Sequence, residues 1–392
     1  MHKVLIVGGG PSGLILAEYL SRHKEFEVHI FDQKKALGRK FLVAGDGGLN
    51  LSNNQPIERF VSWYDHSVIQ NLVRSFTAED LAFWFKDLGI ETYYGSSGKL
   101  FPLEDIKPIQ VLNAILNRIK QQGVHIHTET KVIGWKDKFI TCEHRGEVRD
   151  FAFDTLCFAM GGASWQTTGS DGKWISFIEE KVKCVPFQSS NAGVNIKNGF
   201  PESYRGSFLK NVHVTVNDQT LLGEVRFTDY GLEGSPIYAL NAQIRNGGNL
   251  TIDLKPQFTE EELLKQIHSW KGNTTEFLKK MKLGFGLNLL RDRLSKADYT
   301  DKEKLVKAIK AFPFEMEGLR PLEEAISSVG GVAMDEVNDL LEAVRYPNVF
   351  FLGEMLDWDT RTGGYLLQAC FSSGVKVAQT IISRCEVGIH VL

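Results

Sequence analysis

Residues 3–32 read KVLIVGGGPSGLILAEYLSRHKEFEVHIFD, and this stretch decides the fold. Its first five residues, KVLIV, form a short apolar run of the kind expected for a strand buried on both faces. Gly8-x-Gly10-x-x-Gly13 follows, enclosing Pro11 and Ser12, and residues 14–23 read as a helix with Leu14, Ala17 and Leu20 on one face. A second strand over 27–32 ends in Asp32, 24 residues after Gly8, close to the ~20 expected of a dinucleotide-binding βαβ unit. Each part has a physical task. Gly8 permits the tight turn, Gly10 admits a pyrophosphate against bare backbone, and Gly13 lets helix and sheet approach. The helix start presents free N–H groups and a positive dipole end to phosphate. Asp32 accepts from ribose hydroxyls, and Gln33 beside it is assigned to the same site.

This motif alone does not separate FAD from NAD. Three more Gly-rich loops, at 45–48, 161–162 and 363–364, argue for the larger cofactor. FAD holds its ring system far from its adenine, so a protein gripping all of it needs contacts from distant segments. There is no second Gly-x-Gly-x-x-Gly after a strand, and therefore no sign of a dedicated nicotinamide domain.

A chain of 392 residues is long for one core, so two or three domains are expected. Hydrophobic residues make up 43% and charged residues 24%, as in a soluble globular protein, and the net charge of −3 argues against nucleic acid as a partner. No apolar run of ~18 residues offers a membrane span. The five cysteines form no C-x-x-C pair, which argues against a disulfide framework, and a cytoplasmic location is the default. The ten histidines are read as carrying no metal-ligand pattern, and no metal is expected. No nucleophile elbow or Cys/His signature appears.

Further along, residues 66–88 and 105–122 read as helical, and 124–128, 131–141 and 154–162 as strands. After about 190 the texture changes to alternating β patterns such as NVHVTVND, with Val212, Val214 and Val216 on one face, as in antiparallel sheet. Residues 256–312 read as a charged helical insert, with capping boxes expected at Thr259/Glu262 and Thr300/Glu303 and a stop at Pro313. From 326 the chain is Gly-rich and apolar again, ending in a helix over about 364–384.

Five segments together resemble the HI0933-like (BaiN-type) flavoproteins, putative NAD(P)/FAD-dependent oxidoreductases. They are GGGPSG with Asp32, GRKFLVAGDGGLNLSN, FAMGGASWQTTGSDG, GGVAMDEV and FFLGEMLDWDTRTGGYLLQACFSSG. The resemblance spans the chain. It implies an α/β fold: a discontinuous Rossmann-like FAD-binding domain interrupted by a β-barrel-like domain that carries a helical subdomain. The matching boundaries are 1–190 and 326–392 for the FAD domain, 191–255 with 313–325 for the β domain, and 256–312 for the helical insert.

The resemblance also implies site residues. Gly8, Gly10, Gly13 and Asp32 would hold the ADP half, with Arg39 and Lys40 near the cofactor. Gly45, Gly48 and Asn50 match a Gly-rich loop, and Gly161 and Gly162 a Gly pair closing a strand that touches FAD. Gly353 and Glu354 match a pair whose carboxylate would bind ribityl hydroxyls. Thr362, Gly363 and Gly364 would lie beside the flavin ring, and Val132 and Leu366 complete the cofactor set. The chain departs from the family at Gly47-Gly48-Leu49-Asn50, where many members read Gly-Gly-Arg-Cys-Asn, so cysteine chemistry does not carry over.

Candidate catalytic residues are Arg361, as a cation for reduced flavin, and Tyr230 and Tyr365, as proton donors. Each has a plainer reading: a surface or phosphate-binding arginine, and two packed tyrosines. Arg320 either binds an anion or pairs with Glu323 or Glu324. The expected function is hydride transfer between FAD and a small organic substrate, reducing an activated C=C bond with NAD(P)H as donor. Alternatives are a flavin monooxygenase and a non-catalytic flavin-bound regulatory or RNA-associated protein. The sequence sets no oligomeric state.

Overall fold

A computed structural model describes residues 1–43 and 48–389. The chain divides into two compact units, Met1–Gln188 with Ile326–Leu392, and Ser189–Ala325.

In the first unit, β1 (His2–Val7) leads into α1 (Pro11–Ser21) and then β2 (Phe26–Phe31). The sheet is completed by β3 (His125–His127), β4 (Thr155–Phe158) and β5 (Val349–Phe351). All pairings are parallel, in the order β3-β2-β1-β4-β5. The apolar runs behave as their composition demands: Val4, Leu5, Ile6, Leu156, Cys157, Phe158 and Phe351 are inaccessible to solvent. Strand order reverses between β1 and β4. Loops leaving the carboxyl ends of those two strands diverge, and the crevice between them is where such sheets bind ligands.

The structure divides the expected helical stretch at 66–88 and departs from the expectation at 131–141. Residues 66–88 form two helices, Ser67–Ser75 and Ala78–Asp87, because Thr77 starts the second with a capping box to Asp80. Residues 131–141 do not form one strand. They turn at Asp137–Lys138 within a three-stranded antiparallel meander of Thr130–Lys136, Phe139–His144 and Glu147–Ala152.

The C-terminal helix, α2 (Tyr365–Ile389), packs on α1. Gly374 makes this approach possible, since a Cβ there would sit 2.5 Å from the Ser12 carbonyl oxygen. Glu18 of α1 is fully buried, and its carboxylate accepts from Arg22 Nη2 at 2.7 Å and Trp84 Nε1 at 3.0 Å. These partners offset the cost of burying the charge.

The second unit holds a seven-stranded antiparallel sheet. Its order runs Phe312–Phe314, Leu250–Asp253, Phe208–Val216, Gln219–Phe227, Gly231–Glu233, Val194–Ile196, Met316–Leu319. The two edge strands are separated in the chain by Glu315 alone. The sheet must therefore coil until its edges meet at that residue, giving barrel-like curvature without a hydrogen-bonded seam in the strand order. Val212, Val214 and Val216 all face the unit's core.

Helices over Glu260–Ser269, Thr274–Lys280, Gly286–Arg293, Lys296–Thr300 and Lys302–Lys310 complete it. Thr259 and Glu262 do form a capping box. Thr300 does not: it ends one helix, and Asp301 caps the next by accepting from the Glu303 and Lys304 N–H groups. Pro313 sits in an edge strand, where its missing N–H costs no ladder bond.

Candidate functional site

The reversal of strand order opens a cleft of about 290 Å³ at the carboxyl ends of β1 and β4. Gly8, with φ +111°, makes the turn out of β1, and a side chain there would overlap the Ala159 carbonyl oxygen after β4. Gly10 caps α1 in extended backbone and has nothing within 4 Å of a built Cβ. The start of α1 therefore faces open space with bare backbone, a cradle that fits a pyrophosphate. Asp32 lines the same cleft and accepts from Gly9 N at 3.0 Å and Lys34 N at 2.8 Å. Burial raises its pKa, and those two N–H groups oppose the rise.

Eleven assigned residues line this one cleft: Gly8, Gly10, Pro11, Ser12, Asp32, Gln33, Arg39, Lys40, Val132, Gly161 and Glu354. Glu354 is 7% exposed and accepts from Lys40 Nζ at 2.6 Å. Lys40 also donates to Ser164 Oγ at 2.9 Å. Lys40→Met strips the carboxylate of its cation and is expected to cost about 3 kcal/mol, measured as a lower urea midpoint. An unchanged midpoint would show that solvent already satisfies Glu354.

Three assigned glycines have a packing role and do not line the cleft. A Cβ on Gly13 would overlap the Gly8 carbonyl oxygen; on Gly162, Ser328 Oγ; on Gly353, Ser12 Oγ. At Gly162 and Gly353 the missing side chain makes room for a neighbouring serine of the same unit. The site also includes residues the sequence reading did not assign: Met160, Thr168 to Asp171, Lys173, Trp174 and Cys370. The turn residues TTGSD, following a Gly pair, were the available signal. Burial pushes the Cys370 thiol up to about 12, so it is no thiolate nucleophile at neutral pH.

A second group gathers at the start of α2. Gly364 lies against the Ser52 backbone, and the segment before it is tied to residues 63–65: Asp359 N donates to Asp65 Oδ1 at 2.8 Å and Thr360 Oγ1 to the Trp63 carbonyl at 3.1 Å. The Arg361 guanidinium stacks on Trp63 at 4.2 Å. Asn50 Oδ1, Trp63 Nε1 and Arg361 Nε are all buried without a hydrogen-bond partner. Burial lowers the Arg361 pKa. Polar atoms buried unpaired are costly, and a ligand with its own donors and acceptors would satisfy them. Gly48, Thr362 and Gly363 belong to the segments that build this group, while Gly45 lies outside the described residues.

Both candidate tyrosines sit in packed surroundings. Tyr365 is 2% exposed and stacked on Phe60 at 4.5 Å, and burial raises its phenol pKa. Its ring is part of the core of this unit. Leu366, partly buried, packs against the same core. Tyr230 lies in the Ser189–Ala325 unit and donates its hydroxyl proton to Glu233. Burial and that bond hold its pKa above the usual tyrosine range. Arg320 stacks on the Tyr230 ring at 4.2 Å and forks onto Glu324 at 2.6 and 2.7 Å, so the structural pairing prevails.

The sequence reading also missed His125-Ile126-His127 on β3. Such alternation places both rings on one sheet face. The expectation that the histidines carry no metal-ligand spacing fails at this point.

Comparison with known proteins places the fold. The chain is 24% identical over 420 residues to the 3-dehydro-bile acid delta(4,6)-reductase of Clostridium scindens, covering 98% of this chain and 100% of that one. It is 22% identical over 401 residues to the ribosomal RNA dihydrouridine synthase of Escherichia coli, covering 97% and 98%. The structure of a flavocytochrome c3 fumarate reductase in an open conformation aligns with a TM-score of 0.51 at 14% identity, covering 96% of this chain and 78% of that chain, a likeness of fold. A family model described as the HI0933-like protein Rossmann domain matches residues 2–380. With all but the extreme termini inside that match, the chain belongs to the HI0933-like family.

Proposed function

We propose that this protein is an FAD-dependent oxidoreductase that transfers hydride between flavin and a small organic substrate, reducing an activated C=C bond with NAD(P)H as donor. The observation that carries the reading is the cleft at the β1/β4 switch point, where bare Gly10, the α1 terminus and Asp32 converge. The relatives support it. One is named for reducing a delta(4,6) bile acid and the other for making dihydrouridine, a nucleoside whose base carries two hydrogens added across a C=C bond. Bound FAD would supply the hydride chemistry.

This chain's residues supply position and electrostatics. Gly8 to Ser12 would bind the pyrophosphate, Asp32 the ribose, and Glu354, held by Lys40, the hydroxylated linker between phosphate and ring. Arg361 Nε and Asn50 Oδ1, both unpaired, would meet the polar edge of the ring. Arg361→Gln is expected to keep FAD bound while lowering the flavin midpoint potential by on the order of 30 mV, about 1.4 kcal/mol for a two-electron couple. An unchanged potential would place the guanidinium away from the ring. A cytoplasmic enzyme fits the five free cysteines.

Purified protein should be yellow. Under anaerobic conditions it should bleach with NADH or NADPH and recolour when given an enone substrate. A colourless protein that takes up no added FAD would sink the proposal. The dihydrouridine synthase relative favours a second substrate, a uridine within RNA. Recolouring by RNA and not by enones would select it.

A further inference from the structure

Glu27 and His29 alternate along β2, and His125 and His127 alternate along β3. The parallel register sets His29 opposite His125 and Phe31 opposite His127. Residues two apart on a strand face the same side, so all four side chains share one face at the edge of the sheet. The rings confirm it. His29 stacks on His125 with centroids 4.5 Å apart, and His127 stacks on Phe31 at 4.4 Å. His29 Nε2 lies 2.9 Å from Glu27 Oε1, and His29 Nδ1 lies 3.0 Å from His127 Nε2. Among the described residues, Glu27, His29 and His125 form the group whose potential ligand atoms all fall within 4.8 Å of one another.

We propose that Glu27, His29 and His125 bind a divalent transition-metal cation of the zinc class, with His127 positioning His29. Two imidazole nitrogens and one carboxylate oxygen form a donor set that zinc accepts, with water in the fourth place. Ligand atoms around a tetrahedral zinc stand about 3.4 Å apart, given metal–ligand distances near 2.0–2.2 Å. The observed spread closes to that with a small swing of His125, whose side chain is exposed. His127 provides what such a site needs behind its ligands: an acceptor for the remote N–H of His29, which fixes the tautomer and leaves Nε2 free for the metal.

The competitor is Lys3, whose ammonium lies 3.5 Å from Glu27 Oε1. Its side chain is 38% exposed, so it can turn to solvent when a cation arrives. None of the three ligands lines the cleft described above. Its effect would be to clip the short edge strand β3, paired through three residues, onto β2.

The test is Co(II) titration of chelator-treated full-length protein, followed by visible absorption. The wild type should saturate at one Co(II) per chain with the intense bands of a four-coordinate site, and Zn(II) should abolish them. His125→Ala, at an exposed position, should lose the bands while keeping the wild-type flavin content and melting temperature. His127→Phe, which preserves the stacking on Phe31, should weaken binding roughly 10- to 100-fold. Absent bands in the wild type, or equal Co(II) uptake by wild type and His125→Ala, would overturn the proposal.

Discussion

Gly10→Asp is expected to leave the apoprotein as stable as the wild type, or slightly more stable, while abolishing FAD retention. The two effects separate because Gly10 sits in extended backbone as the N-cap of α1, with no atom within 4 Å of a built Cβ. Any residue adopts that conformation, and aspartate is a better N-cap than glycine by a few tenths of a kcal/mol. Its carboxylate, however, occupies the space in front of the helix terminus where the proposed pyrophosphate binds. Two like charges about 4 Å apart at an effective dielectric near 20 repel by roughly 4 kcal/mol, about three orders of magnitude in affinity. Urea unfolding of the apoprotein and flavin content after dialysis measure the two effects. Normal flavin content in a folded Gly10→Asp protein would remove the pyrophosphate from this cradle.

Gly364→Val should damage the fold itself. Gly364 has φ +90°, a region that β-branched residues avoid, and a Cβ there would stand 2.6 Å from the Ser52 Cα and carbonyl oxygen. Both obstacles are backbone, so no rotamer relieves them. The conformation costs about 1–3 kcal/mol, and forcing apart two packed segments costs a similar amount. The expected result is a large fall in the urea midpoint together with loss of flavin. A wild-type midpoint would mean that the two segments separate freely.

These two positions also show how far the sequence carries. Gly10 was legible because its role is local: a strand, a glycine turn and a helix within twenty residues, closed by Asp32 on the next strand. The same holds for the Thr259 cap, whose partner Glu262 is three residues away. Where local rules offered near-equal choices, the outcome turned on one residue. Thr300 and Asp301 are both acceptable caps, and the chain uses Asp301, which reaches two N–H groups.

Gly364 was recognised as important, but what it touches was not legible, since Ser52 lies 312 positions earlier. Tyr365 was read as a candidate proton donor because its type and motif allow it. Only the packing of Phe60 and Tyr64 around it shows that solvent is excluded. Lys40 and Glu354, 314 residues apart, were each assigned to the cofactor, and the structure reveals that they hold each other.

By itself, then, the sequence determined the Rossmann-type α/β class, the position of the glycine turn between β1 and α1 and the change to antiparallel texture near 190. All of these rest on periodicity, turn chemistry and spacings of a few residues. Only the tertiary structure decided which glycines face the cleft and which make room for a neighbouring backbone, which tyrosines are sealed, and which histidines meet across two strands. Those properties depend on strand order and register, and register is set by the burial of whole faces, which no short stretch of sequence contains.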